Sequence, residues 1–245
     1  RVREGRHDVS VDVWNAAAQR AERWTAPQVV LALPLFIAAR LLEVVPSALA
    51  DAVRTMRHAP WLVANLHLDR PLDDRPGAAP AWDNVTYGTA ALGYVDARHQ
   101  SLLPFPSATV LTAYWALGGN SAIELAAQRR RLLEMPWSGW ADTVVQELSA
   151  AHPDLRTKVT QIDLMRYGHA MSIPLPGVRS SAALRALADA PTRVHFAHAD
   201  LSGYSIFEEA LYHGARAARA VLRGPGNRAS VAVASGQPFT LQRCA

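Results

Sequence analysis

The chain has 245 residues, half of them apolar and 19% charged, which excludes a disordered polypeptide and allows one large or two modest cores. Formal net charge is only +4, and arginine supplies nearly all the basic residues, Lys158 being the single lysine. Apart from Arg129–Arg131, which falls on a polar helix face, the arginines are scattered and do not form the basic stripe of a nucleic-acid binder. Cys244 is the only cysteine, so an internal disulfide and a cysteine metal cluster are excluded, and a reducing cytoplasm is the expected compartment.

The sequence opens at Arg1 inside a strand-like pattern and is expected to be a piece of a larger protein. Residues 6–14 alternate polar and apolar as a half-buried strand does. The continuous apolar run of 25–34 reads as a buried strand, and 35–58 carries apolar residues at helical spacing. Interrupted by Pro34 and Arg40, the window 29–42 is too short to span a bilayer, and no signal-peptide pattern is present. In 61–69 the period returns to two: Trp61, Val63, Asn65 and His67 share one face, and Leu62, Ala64, Leu66 and Leu68 the other.

A loop rich in Pro, Asp and Gly covers 71–80, and strands are expected around 84–97 and 108–116. Residues 121–135 and 140–152 read as amphipathic helices, the first with Ser121 as cap and Glu124 as its box partner. Residues 158–171 form a strand that runs into a turn at Pro174, Pro176 and Gly177, and a short helix covers 180–190. Beyond Arg223 the composition becomes that of a loose tail.

The segment 194–222, VHFAHADLSGYSIFEEALYHGARAARAVL, concentrates the chemistry. An apolar strand, 194–199, ends in Asp200, a Gly-containing turn follows, and Ser205 and Glu208 have the spacing of a capping box opening a helix. Ligands of open α/β sheets sit at the C-terminal ends of strands. The amides of Ile206 and Phe207, without helical partners, and the helix dipole favour an electron-rich or anionic ligand atom. His195 and His198, three apart on a strand, face opposite sides and cannot share a metal ion, so no metal site is expected.

Phe196-Ala197-His198-Ala199-Asp200, followed by Glu208-Glu209-Ala210 and Gly214-Ala215-Arg216-Ala217-Ala218, resembles the C-terminal FAD-binding segment of flavin-containing amine oxidases and their protoporphyrinogen oxidase and carotenoid desaturase relatives. His198 and Glu209 stand where that pattern has glycine. The resemblance implies a mixed α/β fold: an incomplete FAD-binding domain from 1–45 and 191–222, a substrate domain over 46–190, and the tail 223–245. It also implies FAD held by Asp200, Ala199, Ser205 and the amides of Ile206 and Phe207. Its glycine fingerprint, G-x-G-x-x-G after a strand, is not found in a strand context; Gly224–Ala229 matches formally but follows a helix and contains Pro225. The partner expected is therefore an N-terminal FAD-binding half, on the same or another chain, besides a small-molecule substrate.

Many amine oxidases carry a lysine where Val63 stands here, so Asn65 and His67, on the same face, are candidate polar substitutes, Asn65 as a catalytic group. His169, beside the Pro-Gly turn that the resemblance places near the flavin, is the other candidate catalytic group. With Cys244 in the tail, non-covalent FAD is implied. Trp82, Tyr87, Tyr94, Tyr114 and Trp115 are candidate pocket aromatics. The alternative is a non-catalytic remnant, or a half that works only with its partner.

Overall fold

The structure is a computed structural model that describes residues 1–74, 81–102 and 107–224 and the backbone of 237–238. The elements run β1 (Val2–Glu4), β2 (Val9–Asn15), β3 (Arg20–Ala26), β4 (Val29–Leu31), α1 (Leu35–Leu41), α2 (Ser47–Thr55) and β5 (His58–Leu68). They continue with β6 (Asp83–Asn84), β7 (Gly93–Asp96), β8 (Thr109–Ala116), α3 (Ala122–Glu134), α4 (Trp137–Ala151) and β9 (Val159–Ser172). Last come α5 (Ala182–Asp189), β10 (Val194–Phe196), α6 (Phe207–Arg223) and β11 (Gln237–Pro238). The fold is mixed α/β. It divides into two compact units, one of residues 1–57 and 172–245, the other His58–Met171.

In the first unit β1, β2, β3 and β11 form one sheet, while β4 and β10 form a separate parallel pair. The alternation expected for residues 6–14 appears as β2, whose Asp12 pairs across the ladder with the Arg23 guanidinium at 2.6 and 3.0 Å. The helical stretch expected over 35–58 is two helices. Leu42 turns extended and bridges Val2, and Pro46, which cannot sit inside a helix, precedes the first turn of α2. Leu49 and Ala52 of α2 and Leu184 and Leu187 of α5 share one core with Val2, Val9, Leu35, Val194 and Phe196.

The second unit is built on a five-stranded sheet of order β6-β7-β8-β5-β9. Leu62, Ala64, Leu66 and Leu68 of β5 are at most 2% exposed. They pack in one cluster with Leu132 of α3 and Trp140, Val144 and Leu148 of α4, while Trp61, Val63, Asn65 and His67 on the other face are half-buried. The period-two pattern thus marks a sheet with one covered face. The stretch expected as one strand over 84–97 is two short strands and a turn. Gly93, at φ +130°, closes against the Asn84 carbonyl, where a Cβ would collide.

Ser121 caps α3 by accepting from the Glu124 amide at 3.1 Å, and the Glu124 carboxylate reaches back to the Asn120 amide at 2.7 Å. Helix α4 starts at Trp137, three residues before the expected position, because Pro136 sits at its N-cap. Lys158 is buried between Asp154 and Asp73, each at 2.6 Å, and also donates to the Pro71 carbonyl. Among the described residues no helix is long and apolar enough to cross a membrane.

Because the β5 faces differ so sharply in burial, substitutions on them will separate. Leu66→Ala is expected to destabilise the second unit by about 2–5 kcal/mol. His67→Ala, which removes only an exposed pair with Asp163, is expected to cost less than about 1 kcal/mol. Urea unfolding followed by tryptophan fluorescence checks both; equal costs would contradict the two-faced sheet.

Candidate functional site

The parallel pairing of β10 with β4 runs past Phe196, since the Ala197 amide donates to the Leu31 carbonyl at 3.0 Å. His198 then turns the chain: its Nδ1 accepts from the Asp200 amide at 3.1 Å, opening a 3-10 turn over Ala199–Ser202. Asp200 is fully buried, and its Oδ2 accepts from the Leu35 amide at 2.9 Å. Leu35 opens α1, and the preceding Pro34 provides no side-chain cap. The carboxylate therefore serves as the cap of a helix 165 residues away in sequence and sits at the positive end of its dipole.

Gly203 leaves the turn in the left-handed region, φ +69°, with the Val178 side chain packed where a Cβ would stand. Ser205 does not cap α6, which corrects the capping-box expectation. Its Oγ accepts from the Ser172 amide at 2.7 Å and bonds the Ser172 hydroxyl at 2.9 Å, tying the turn to the end of β9. With that hydroxyl engaged, α6 starts two residues later, with Ile206 as N-cap and no side-chain cap bond. Ile206 and Phe207 are 46% and 74% exposed, and their amides stand at the open N-terminal end of a 17-residue helix.

Sequence reasoning missed a polar cluster behind this turn. Ser202 Oγ donates to a Glu209 carboxylate oxygen at 2.5 Å and, its one proton so used, accepts from His213 Nε2 at 2.7 Å. The Glu209 carboxylate also lies 3.9 Å from Arg179, whose guanidinium stacks over the Tyr204 ring. His213 is buried, and its Nδ1 has no partner among the described residues. Burial first, and the nearby Arg216 charge second, hold its pKa below the ordinary imidazole value. His213 and Ala217, four apart, are the buried residues of α6, and no motif in the sequence marks the cluster.

The second unit presents its own face. Asn65 Oδ1 accepts from the Thr112 hydroxyl at 2.9 Å, and Trp61 stacks on Tyr114. Tyr114 donates to Asp83 at 2.9 Å, and its pKa is pushed up to about 12 by burial and by that hydrogen bond. His169 is exposed on β9, its ring centre 6.4 Å from that of His58. His58 opens β5 seven residues before Asn65, a separation of about 20 Å at the rise of a strand. Asn65 and His169 are thus not brought together. Tyr94 and Trp115 are core residues, bonded to His152 and Glu147, whereas Trp82 and Tyr87 are exposed. Cys244 and the Pro225–Ala229 part of the formal glycine motif lie outside the described residues.

Asp200→Ala is expected to lower stability by about 1–3 kcal/mol, because the buried Leu35 amide loses its acceptor. Chemical denaturation checks this, and an unchanged midpoint would remove the capping role. His213 is also expected to make stability depend on acid. A histidine whose folded pKa is depressed adds stability that is present above its ordinary value of 6.5 and is lost as pH falls through the folded value. The drop in melting temperature from about pH 7.5 to about pH 5 should therefore be smaller in His213→Gln. An equal drop would show that His213 does not carry it.

No protein-family profile and no curated protein sequence matches the chain. Solved structures do. Cyclohexylamine oxidase from Brevibacterium oxydans superposes with a TM-score of 0.60 at 17% identity, over 90% of this chain and 46% of that one. A putrescine oxidase triple mutant redesigned in cofactor binding gives 0.57 at 14%, over 91% of this chain and 48% of that one. A double mutant of the same oxidase gives 0.56 at 13%. The chain spans about half the length of these proteins and shares the fold of that half.

Proposed function

We propose that this chain is the C-terminal half of an FAD-dependent oxidoreductase of the amine-oxidase type, with its first unit holding part of the flavin site and its second unit serving as the substrate domain. The single observation that carries this reading is the open N-terminus of α6, which follows a parallel strand, a buried acid and a left-handed Gly203 in the order the sequence resemblance requires. The shared fold with two amine oxidases supports it.

The residues present fit the cofactor at this point. Uncapped amides at Ile206 and Phe207 offer donors to an electron-rich edge of a ring, and Gly203 and Ser205 fix the turn that aims them. Asp200 and Ala199 complete the turn, with Asp200 locking it to α1. When bound, the flavin supplies the chemistry by accepting a hydride from an organic substrate. As the resemblance implies for a chain whose one cysteine is Cys244, the flavin is held without a covalent bond. On the sheet face of the second unit, Asn65 and His169 are the polar groups assigned to the substrate, at separate points, in a protein of the reducing cytoplasm.

One feature favours the alternative of a non-catalytic half. Glu209 brings a carboxylate into the first turn of α6, where it offsets the positive helix end that an anionic ligand atom would use.

Flavin titration distinguishes the readings. The isolated chain, whose sequence has no glycine fingerprint in a strand context, is expected to bind FAD without saturating below about 100 µM. In the complete protein Asp200→Ala, which releases the turn from the Leu35 amide, is expected to weaken FAD binding by about 10-fold or more. A stoichiometric yellow protein purified from this chain alone, or a folded Asp200→Ala protein that binds FAD as the parent does, would contradict the proposal.

A further inference from the structure

Glu209 is the third helical residue of α6, after the N-cap Ile206. The pattern that this segment resembles has glycine there. From that position a glutamate commonly reaches back to the N-cap amide and closes the helix end. Here Ser202 takes the carboxylate instead, donating to it at 2.5 Å from the turn that precedes the helix. The helix N-terminus has no side-chain cap bond, so the amides of Ile206 and Phe207 stay open with a carboxylate fixed less than one turn away.

Among the described residues little cancels this charge. Arg179 comes to 3.9 Å from Glu209, but its side chain is 69% exposed and lies over the Tyr204 ring, and exposed pairs of that kind contribute little. His213, bonded to the same Ser202 hydroxyl, is buried, and burial holds its pKa below the ordinary imidazole value. At neutral pH it therefore adds no positive charge. Arg216 stands seven residues on, about 10 Å along the helix axis, and donates to the Phe196 carbonyl. The other acid of the first turn, Glu208, is exposed, and water and salt screen it. Glu209 is thus the first-turn charge that is both pinned and partly withdrawn from water, its side chain 22% exposed.

Such a charge acts unequally on the two states of a flavin. The oxidised ring is uncharged, and accepting a hydride adds one negative charge to it. Open amides at a helix end favour that added charge, and a fixed carboxylate beside them opposes it. Attachment of the oxidised cofactor is nearly untouched, because a carboxylate and a neutral ring interact weakly. What changes is how readily the ring is reduced.

We propose that Glu209 lowers the reduction potential of the flavin, acting from its fixed place on Ser202 against the negative charge that the ring gains with the hydride. The inference rests on the reading of this chain as half of a flavoprotein, and it gives the carboxylate that offsets the α6 dipole a place in a working site. It also narrows the substrate. A ring held at low potential takes a hydride only from a compound that gives it up readily.

The test measures the midpoint potential of the flavin in the complete protein by reductive titration against a reference dye. Glu209→Gln keeps an oxygen for Ser202 and removes the charge. It is expected to raise the potential by about 15–30 mV, a change of about 3- to 10-fold in the preference for the reduced ring. Its affinity for oxidised FAD should stay close to that of the parent, which separates an effect of charge from a loss of structure. Glu209→Asp, which keeps the charge, should stay near the parent potential. Glu208→Gln, which removes a screened charge from the same turn, should shift it less than half as far. Circular dichroism and melting of each purified variant establish that it folds. A potential that is unchanged or lowered in Glu209→Gln would overturn the proposal and leave the flavin reading standing. Equal shifts in Glu209→Gln and Glu208→Gln would overturn it as well, since net charge rather than the held carboxylate would then be felt. A complete protein that takes up no flavin removes the proposal together with the reading beneath it.

Discussion

The first unit is organised around one buried hydrogen bond, from the amide of Leu35 to the carboxylate of Asp200. A fully buried carboxylate is costly unless its oxygens find donors, and a helix N-terminus supplies both a donor and a favourable dipole. The bond holds the chain leaving β10 against the chain leaving β4, so the two parallel strands end together. Everything that follows Asp200 takes its position from this point: the left-handed Gly203, the Ser205 anchor on Ser172, and the start of α6. If helix amides are to meet a ligand, their direction is set here, several residues before the helix begins.

The second unit solves a different problem, that of a sheet with one wet face. Apolar alternation along β5 and β8 fills one side with leucine, alanine and tryptophan against α3 and α4. The other side carries hydrogen-bonded pairs, Asn65 with Thr112 and His67 with Asp163 across neighbouring strands, and Tyr114 with Asp83 across the intervening β7. Such pairs hold polar groups in fixed directions on an open face, which is the property a substrate-binding sheet needs.

How far the sequence could be read follows from the range of the forces involved. Period-two burial in 61–69 and the Ser121 cap of α3 are set by near neighbours, and both were legible. The break at Pro46 rests on a single residue inside an otherwise helical pattern, which the periodicity of 35–58 does not reveal. Ser205 looked like a cap by spacing alone; the amide that claims it belongs to Ser172, on another strand. Asp200 was recognised as a residue at the end of a strand, but its partner Leu35 is too distant in the chain to be seen locally. Tyr94 and Trp115 were candidates for a pocket and are core because His152 and Glu147, brought in by α4 and its C-terminal end, satisfy their polar atoms. The Ser202–Glu209–His213 cluster had no motif of its own.

In the function proposed here the open end of α6 receives a flavin. Amide NMR of the uniformly 15N-labelled chain, titrated with FAD into the millimolar range, tests it most directly, because weak binding still moves the resonances of the amides that are touched. The largest shifts are expected at Ile206 and Phe207, with smaller ones along the Gly203–Ser205 turn. Shifts that spare Ile206 and Phe207 while other residues respond, or no response at all, would contradict it.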